Sequence, residues 1–274
     1  MLDVLDLAAG EEPDSFVGES LPSLWGRVFG GQVLAQGLIA AGRTVDGDRA
    51  VHSMHAYFLR PGDPAKPITF AVERLRDGRS FSARRTHALQ DGVPILSMIS
   101  SFQVPSAGLE HQTPMPEVPA PEDLPSPEEW TAGMTHPARA TQVGRPVDIR
   151  HVDGPLLLDA GPQRTAKQAV WLRSAAPLPH EPALHAAVLA FASDYTMLEP
   201  LLRRHRVAWV DPRLKVASLD HAMWWHRPAR ADEWLLYVQD SPSAQGARGL
   251  GTALLYRRDG ALVATVAQEG MIRL

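Results

Sequence analysis

The chain states one pattern twice, and that repetition limits its fold more than any other feature. The segment Val51-His52-Ser53-Met54-His55-Ala56-Tyr57-Phe58-Leu59-Arg60-Pro61 has a counterpart in Ser218-Leu219-Asp220-His221-Ala222-Met223-Trp224-Trp225-His226-Arg227-Pro228. Each copy ends in Arg-Pro and later reaches an Asp-Gly turn, Asp91-Gly92 and Asp259-Gly260, from which an apolar strand departs. Laid over each other, Val51 matches Ser218, Gln32 falls near Asp194 and Ser100 matches Gln268. The second copy therefore carries a carboxylate, a hydroxyl and a carboxamide where the first reads differently. Duplicated units that diverge at a few polar positions imply one scaffold carrying one site.

The 274 residues allow one large domain or two medium ones with proper cores. A net charge of −4 argues against a general nucleic-acid binder, which would present a basic stripe. Cysteine is absent, so disulfides, a thiolate nucleophile and Cys-ligated metals are excluded. The chain has no Asn, and only Lys66, Lys167 and Lys215 among its 27 basic side chains are lysine, which reads as coding bias. The acidic opening Met1-Leu2-Asp3-Val4-Leu5-Asp6 lacks the basic-then-apolar pattern of a signal peptide, and Arg273-Leu274 does not complete a peroxisomal address. No apolar run approaches the roughly 18 residues that span a bilayer. The expected location is the cytoplasm, with no membrane partner.

Residues 24–45 read as a helix, with Val33, Leu34, Gly37, Leu38 and Ala41 on one face and small residues permitting close packing on a sheet. Extended segments follow at 51–59, 69–77, 81–89 and 95–103, forming an antiparallel meander. Seven prolines between Pro105 and Pro127, with few large apolar residues, read as an extended and poorly packed strap. Short strands at 147–152 and 169–173 precede a helix from about Pro182 to Arg204, which Pro200 should kink or end. The meander then repeats at 216–226, 233–240, 249–257 and 261–268. Helix plus antiparallel sheet, twice, is α+β. The implied division is an N-terminal unit over residues 1–104, a Pro-rich linker over 105–145 and a C-terminal unit over 146–274.

Asp194 lies on an apolar helix face, where a carboxylate is costly to bury without partners. It serves either as a cap or as a general base that orients water. Ser218 is a strand-start hydroxyl or a site hydroxyl. Gln268 ends the last strand, solvated or holding a water with its donor and acceptor. Strict alternation along a strand places His52 and His55 on opposite faces and separates His221 from His226, which argues against chelation. Gly30-Gly31 lets backbone approach a ligand closely. The stretch Ser241–Gly251, with Gly246, Arg248, Gly249 and Gly251, reads as a flexible approach loop, though its spacing fits neither a P-loop nor a dinucleotide fingerprint.

The chain resembles the acyl-CoA thioesterase II family, the TesB-like double-hotdog thioesterases. The resemblance rests on Arg27-Val28-Phe29-Gly30-Gly31-Gln32, Tyr57-Phe58-Leu59-Arg60-Pro61-Gly62-Asp63, Arg76 to Arg85, Ala192-Ser193-Asp194-Tyr195, Ser218 to Trp224 and Gln268-Glu269-Gly270. It implies two hotdog units in one chain. It also implies a hydrolytic water held by Asp194, Ser218 and Gln268 of the second unit, with Ser218 standing where many relatives have Thr. Gly30, Gly31 and Gln32 become candidates for the oxyanion, His55 or His52 for an activity-linked histidine, and Arg248 and Gly249 for substrate contact. The implied substrate is acyl-CoA, with no cofactor and no metal, and the assembly a homo-oligomer, dimer or tetramer. Two rivals stand beside this reading: a non-catalytic acyl-CoA binder or sensor, and a hotdog hydratase or dehydratase, which would need a histidine beside Asp194.

Overall fold

The computed structural model describes residues 1–23, 26–162 and 164–274. The chain is α+β, a double hotdog, and it divides into two compact units that do not follow chain order. The first unit takes Met1–His111, Pro179–Tyr195 and Leu219–His226, and the second takes Gln112–Leu178, Thr196–Ser218 and Arg227–Leu274.

In the first unit a short helix α1 (Leu2–Leu5) and strands β1 (Ala8–Ala9) and β2 (Ser15–Gly18) precede the long helix α2 (Gly30–Gly42). The meander β3 (Ala50–Phe58), β4 (Ile68–Asp77), β5 (Phe81–Gln90) and β6 (Val93–Gln103) follows. Asp91 and Gly92 both take positive φ (51° and 75°), which fits the tight primed turn that Asp-Gly favours between twisted strands. The α2 helix is shorter than the expected 24–45. Residues 26–29 are not helical, and positions 24 and 25 lie outside the described residues. It is buried on nearly all sides because Ala and Gly leave room. A Cβ at Gly37 would stand 3.1 Å from Met98 Cε, so the helix lies close on the sheet.

The inner face of that sheet holds Met54, Ala56, Phe70, Ala88 and Met98, alternating with more exposed neighbours as the two-residue period requires. Arg84 is also on this face and is 1% exposed. It donates to Thr44 Oγ1 and O after α2, to the Arg76 carbonyl and to Asp77 Oδ1, so a buried guanidinium fastens the end of the helix to the β4–β5 hairpin.

The first unit also includes α4 (Pro182–Ser193), which packs on α2, and β10 (Asp220–Trp225), which pairs with β3 through His221↔Ala56 and Met223↔Met54. The expected strand at 216–226 is therefore interrupted at Leu219: β9 (Lys215–Ser218) pairs instead with β13 (Leu262–Arg273). The helix expected from 182 to 204 divides as well. It breaks after Ser193 and resumes as α5 (Glu199–His205), with Pro200 in the tolerated first turn of the new helix rather than at the end of the old one.

The second unit builds an antiparallel sheet in the order β9-β13-β12-β11-β8-β7. Its remaining strands are β7 (Val147–His151), β8 (Lys167–Ser174), β11 (Leu235–Gln245) and β12 (Arg248–Arg257). The Pro-rich segment is extended and exposed over residues 105–114, as expected, but beyond that a few of its apolar side chains pack on this sheet. Met115, Val118 and Leu124 lie against Trp171, Leu236 and Tyr256, Trp171 Nε1 donates to the Pro119 carbonyl, and Gln112 bonds both Gly260 O and Leu262 N. Proline keeps the strap extended and reduces the number of backbone donors left to satisfy as it crosses the apolar face. It then reaches the short helix α3 (Pro127–Trp130), opened by a Ser126–Glu129 capping box.

Helix α5 is anchored by Glu199, 5% exposed, which accepts from His151 Nε2, Gln168 Nε2 and Trp209 Nε1 at 3.1, 2.9 and 3.0 Å. Burial pushes this carboxyl up, but the attraction of His151 and the three hydrogen bonds outweigh it and hold the group below its ordinary value. The folded state thus binds this proton less readily than the unfolded chain. The resulting stability is fully present above the unfolded value of about 4.3 and is lost as pH falls through the folded value. Glu199→Gln should lower stability at pH 7 by about 1–3 kcal/mol, and its deficit against the wild type should narrow as pH drops below about 4.5. Urea midpoints measured across that range check this; a gap that widens in acid would contradict it.

Candidate active site

Two hydrogen-bonded polar pairs contain the residues expected at the site. In the first unit, Asp194 is the residue that ends α4, in αR geometry (φ −77°, ψ −16°), and its Oδ2 accepts from the backbone N–H of Gly31 at 2.9 Å. Gly31 lies in the first turn of α2, whose own N-cap residue, Phe29, supplies no side-chain cap. The carboxylate therefore caps a neighbouring helix, where orphan N–H donors and the positive end of the helix dipole favour negative charge. Of the two roles the sequence left open, the geometry shows the cap, made to a neighbouring helix, and the side chain stays partly exposed.

Space is tight at both first-turn positions, but only Gly31 faces a backbone atom. A Cβ on Gly31 would stand 2.3 Å from the Phe191 carbonyl oxygen, a backbone atom that cannot yield cheaply. A Cβ on Gly30 would stand 2.8 Å from Asp194 Oδ2 and 3.0 Å from the Phe58 ring. Phe29 seals the same corner, stacked on Tyr195 at 4.4 Å and edge-on to Phe191 at 5.2 Å.

In the second unit, Gln268 on β13 is 1% exposed and its Nε2 donates to Ser218 Oγ at 2.9 Å. The pairing of Gly270 with Ser218 brings the two strands into this register, and the bond orients a carboxamide whose two ends would otherwise be interchangeable. Three of the expected site residues thus sit in two made hydrogen bonds.

The other expected residues have the following partners in the structure. Gly31 N–H is engaged by Asp194, and Gln32 is fully buried, its carboxamide accepting from Leu21 N and donating to Glu19 O and Gln36 Oε1. Gln32, the counterpart of Asp194, therefore ties down the entering loop. The supposed loop at 241–251 is a β-hairpin, with β11 running to Gln245 and β12 starting at Arg248 across a Gly246-Ala247 turn in which both residues take φ 60°. Within it a Cβ on Gly249 would meet Leu201 at 1.6 Å, one on Gly251 the Met197 carbonyl at 2.4 Å, and one on Gly270 of β13 Leu198 at 2.6 Å. These glycines form a trench that seats the chain at the start of α5. Arg248 is exposed and pairs with Glu269 at 3.1 Å.

Strict alternation also fails for the paired histidines, because a bulge between Val51 and Ser53 makes His52 the extra residue. His52 Nε2 reaches Ser101 Oγ at 2.8 Å, and burial pushes its pKa down. His55 is exposed, edge-on to Trp224 at 5.1 Å. Met54 and Ala56, between and beside them, are the residues of β3 that face the core. The histidine that spacing did not single out is His221, fully buried, with Nε2 3.0 Å from Ser193 Oγ. Its alternation with Met223 on an inward-facing strand was the available signal, since a buried imidazole needs a partner.

With this geometry in place, relatives are informative. Residues 147–271 match the acyl-CoA thioesterase family model and residues 21–103 that of the acyl-CoA thioesterase N-terminal domain. Mouse acyl-coenzyme A thioesterase 8 is 41% identical over 90% of this chain and 81% of its own. Acyl-CoA thioesterase 2 of Haemophilus influenzae is 38% identical over 94% of this chain and 92% of its own.

The chain belongs to the acyl-CoA thioesterase family. A solved acyl-CoA thioesterase II from Mycobacterium marinum superposes with a TM-score of 0.81 at 41% identity, covering 99% of this chain and 96% of that one. As a member of this family the protein is a thioester hydrolase.

Substitution at Gly30 tests whether the position of the Asp194 carboxylate affects activity apart from folding. In Gly30→Ala the new methyl meets two side chains, Asp194 Oδ2 at 2.8 Å and the Phe58 ring at 3.0 Å, so the carboxylate should swing off Gly31 and the ring shift slightly while the fold survives. Thiol release from an acyl-CoA should fall roughly tenfold or more, with the melting temperature little changed. Gly31→Ala meets backbone and should instead lose folded protein. Full activity in Gly30→Ala would contradict the contact's importance.

Proposed function

We propose that the protein hydrolyses fatty acyl-CoA to free acid and CoA, with Asp194 as general base and the Gln268–Ser218 pair fixing the attacking water. The observation that carries this reading is the helix-capped carboxylate: Gly31 N–H pins Oδ2 and so sets the orientation of the group. Asp194 takes a proton from water as the new C–O bond forms at the thioester carbonyl. The tetrahedral intermediate collapses with loss of the CoA thiolate, which takes up a proton. A serine hydroxyl at position 218 can both accept from Gln268 Nε2 and donate its own proton, which suits it to hold a water on one line. Relatives named as acyl-CoA thioesterases support the substrate class. Exposed Tyr57, Leu59 and Ile99 on the first unit support the assembly of copies into an oligomer.

The test is CoA release from a short-to-long acyl-CoA series. Asp194→Asn should lower kcat by ~10²–10⁴, the usual range for general-base assistance. Gln268→Ala should lower it by a smaller factor with the fold intact, and Ser218→Thr should retain activity. Full turnover in Asp194→Asn would remove Asp194 from the reaction.

A further inference from the structure

The end of α4, which carries Asp194, is held by more than its own helix. We propose that His221 is a positioning residue for hydrolysis, acting on Asp194 through Ser193; this rests on Asp194 being the base. Helix ends leave their last carbonyls without intrahelical partners and fray readily. Here Ser193, the last residue of α4, turns its hydroxyl back to the Ala190 carbonyl at 2.9 Å. A hydroxyl has one proton, so with that proton on Ala190 the Ser193 oxygen receives the Nε2–H of His221 at 3.0 Å. His221 is 0% exposed and Ser193 2%, so the bond is dry. His221 in turn sits on β10, where its backbone is paired opposite Ala56 of β3.

The final turn of α4 is therefore fixed to a sheet strand, one residue before Asp194. The Asp194–Gly31 bond at 2.9 Å has little tolerance for drift of that turn, and misplacing a catalytic group by about 1 Å can cost on the order of 10²-fold in rate. Neither His221 nor Ser193 needs to touch substrate for this. The role requires a donor at the Nε2 position of residue 221, and a glutamine amide can supply one while leucine cannot.

The experiment measures kcat and KM for decanoyl-CoA, with melting temperatures, in His221→Leu, His221→Gln, Ser193→Ala and the His221→Leu/Ser193→Ala double variant. Expected are a fall in kcat of roughly ten- to hundredfold in His221→Leu with KM within about twofold, and recovery to within about threefold of wild type in His221→Gln. Ser193→Ala should match His221→Leu, and the double variant should lose no more than either single one, because both remove the same link. Unchanged kcat in folded His221→Leu, equal losses in the Leu and Gln variants, or additive losses in the double variant would each overturn the proposal. If His221→Leu does not fold, Ser193→Ala against Ser193→Thr makes the same comparison, since only threonine keeps the hydroxyl. Asp194→Asn is measured alongside. Should it stay active, the reading of the site itself fails; should it be inactive while His221→Leu is not, only the role of His221 fails.

Discussion

A carboxylate at the C-terminal end of one helix caps the N-terminal end of another, and the first unit is organised around that contact. Asp194 ends α4 and accepts from Gly31 in the first turn of α2. The carboxylate offsets an unsatisfied donor and sits at the favourable end of the α2 dipole, and it is held still as a result. A group that is both structural cap and proposed base needs an unusually tight approach of two helix ends. The sequence provides it through the absence of side chains at Gly30 and Gly31 and through the aromatic packing of Phe29, Phe191 and Tyr195 around the gap.

The two copies of the repeat show how the same scaffold position can be put to different use. Gln32 is fully buried and committed to the loop at Glu19–Leu21, whereas its partner in the repeat, Asp194, is half-buried with its carboxylate at a helix end. Ser100, the counterpart of Gln268, is buried on an inner sheet face. The second unit adds its own fixed points. The Glu199 cluster and the glycine trench at Gly249, Gly251 and Gly270 hold the chain on either side of the start of α5.

Much of the layout was legible because it depends on local period and turn chemistry. Alternation located the meanders, Asp91-Gly92 located a hairpin, and the polar divergence of the repeat singled out Asp194, Ser218 and Gln268. What was misread depends on distant partners. The glycines near Arg248 looked like a flexible loop because a glycine's reason for being there, Leu201 or Met197 packed over it, is remote in sequence. The Pro-rich strap looked unpacked throughout because its few apolar side chains need a sheet face to lie on. His52 escaped the alternation rule through a bulge that only strand pairing reveals.

The sequence alone determined the α+β class, the doubling and the family resemblance, and it nominated the polar trio, since periodicity and residue type are local properties. Tertiary structure decided which partner each of those groups has: Gly31 for Asp194, Ser218 for Gln268, and His221 for the serine beside Asp194. It also decided that β10 pairs with β3 while the adjoining β9 pairs with β13. Those outcomes follow from hydrogen bonds and close packing between residues far apart in the chain, which no local pattern encodes.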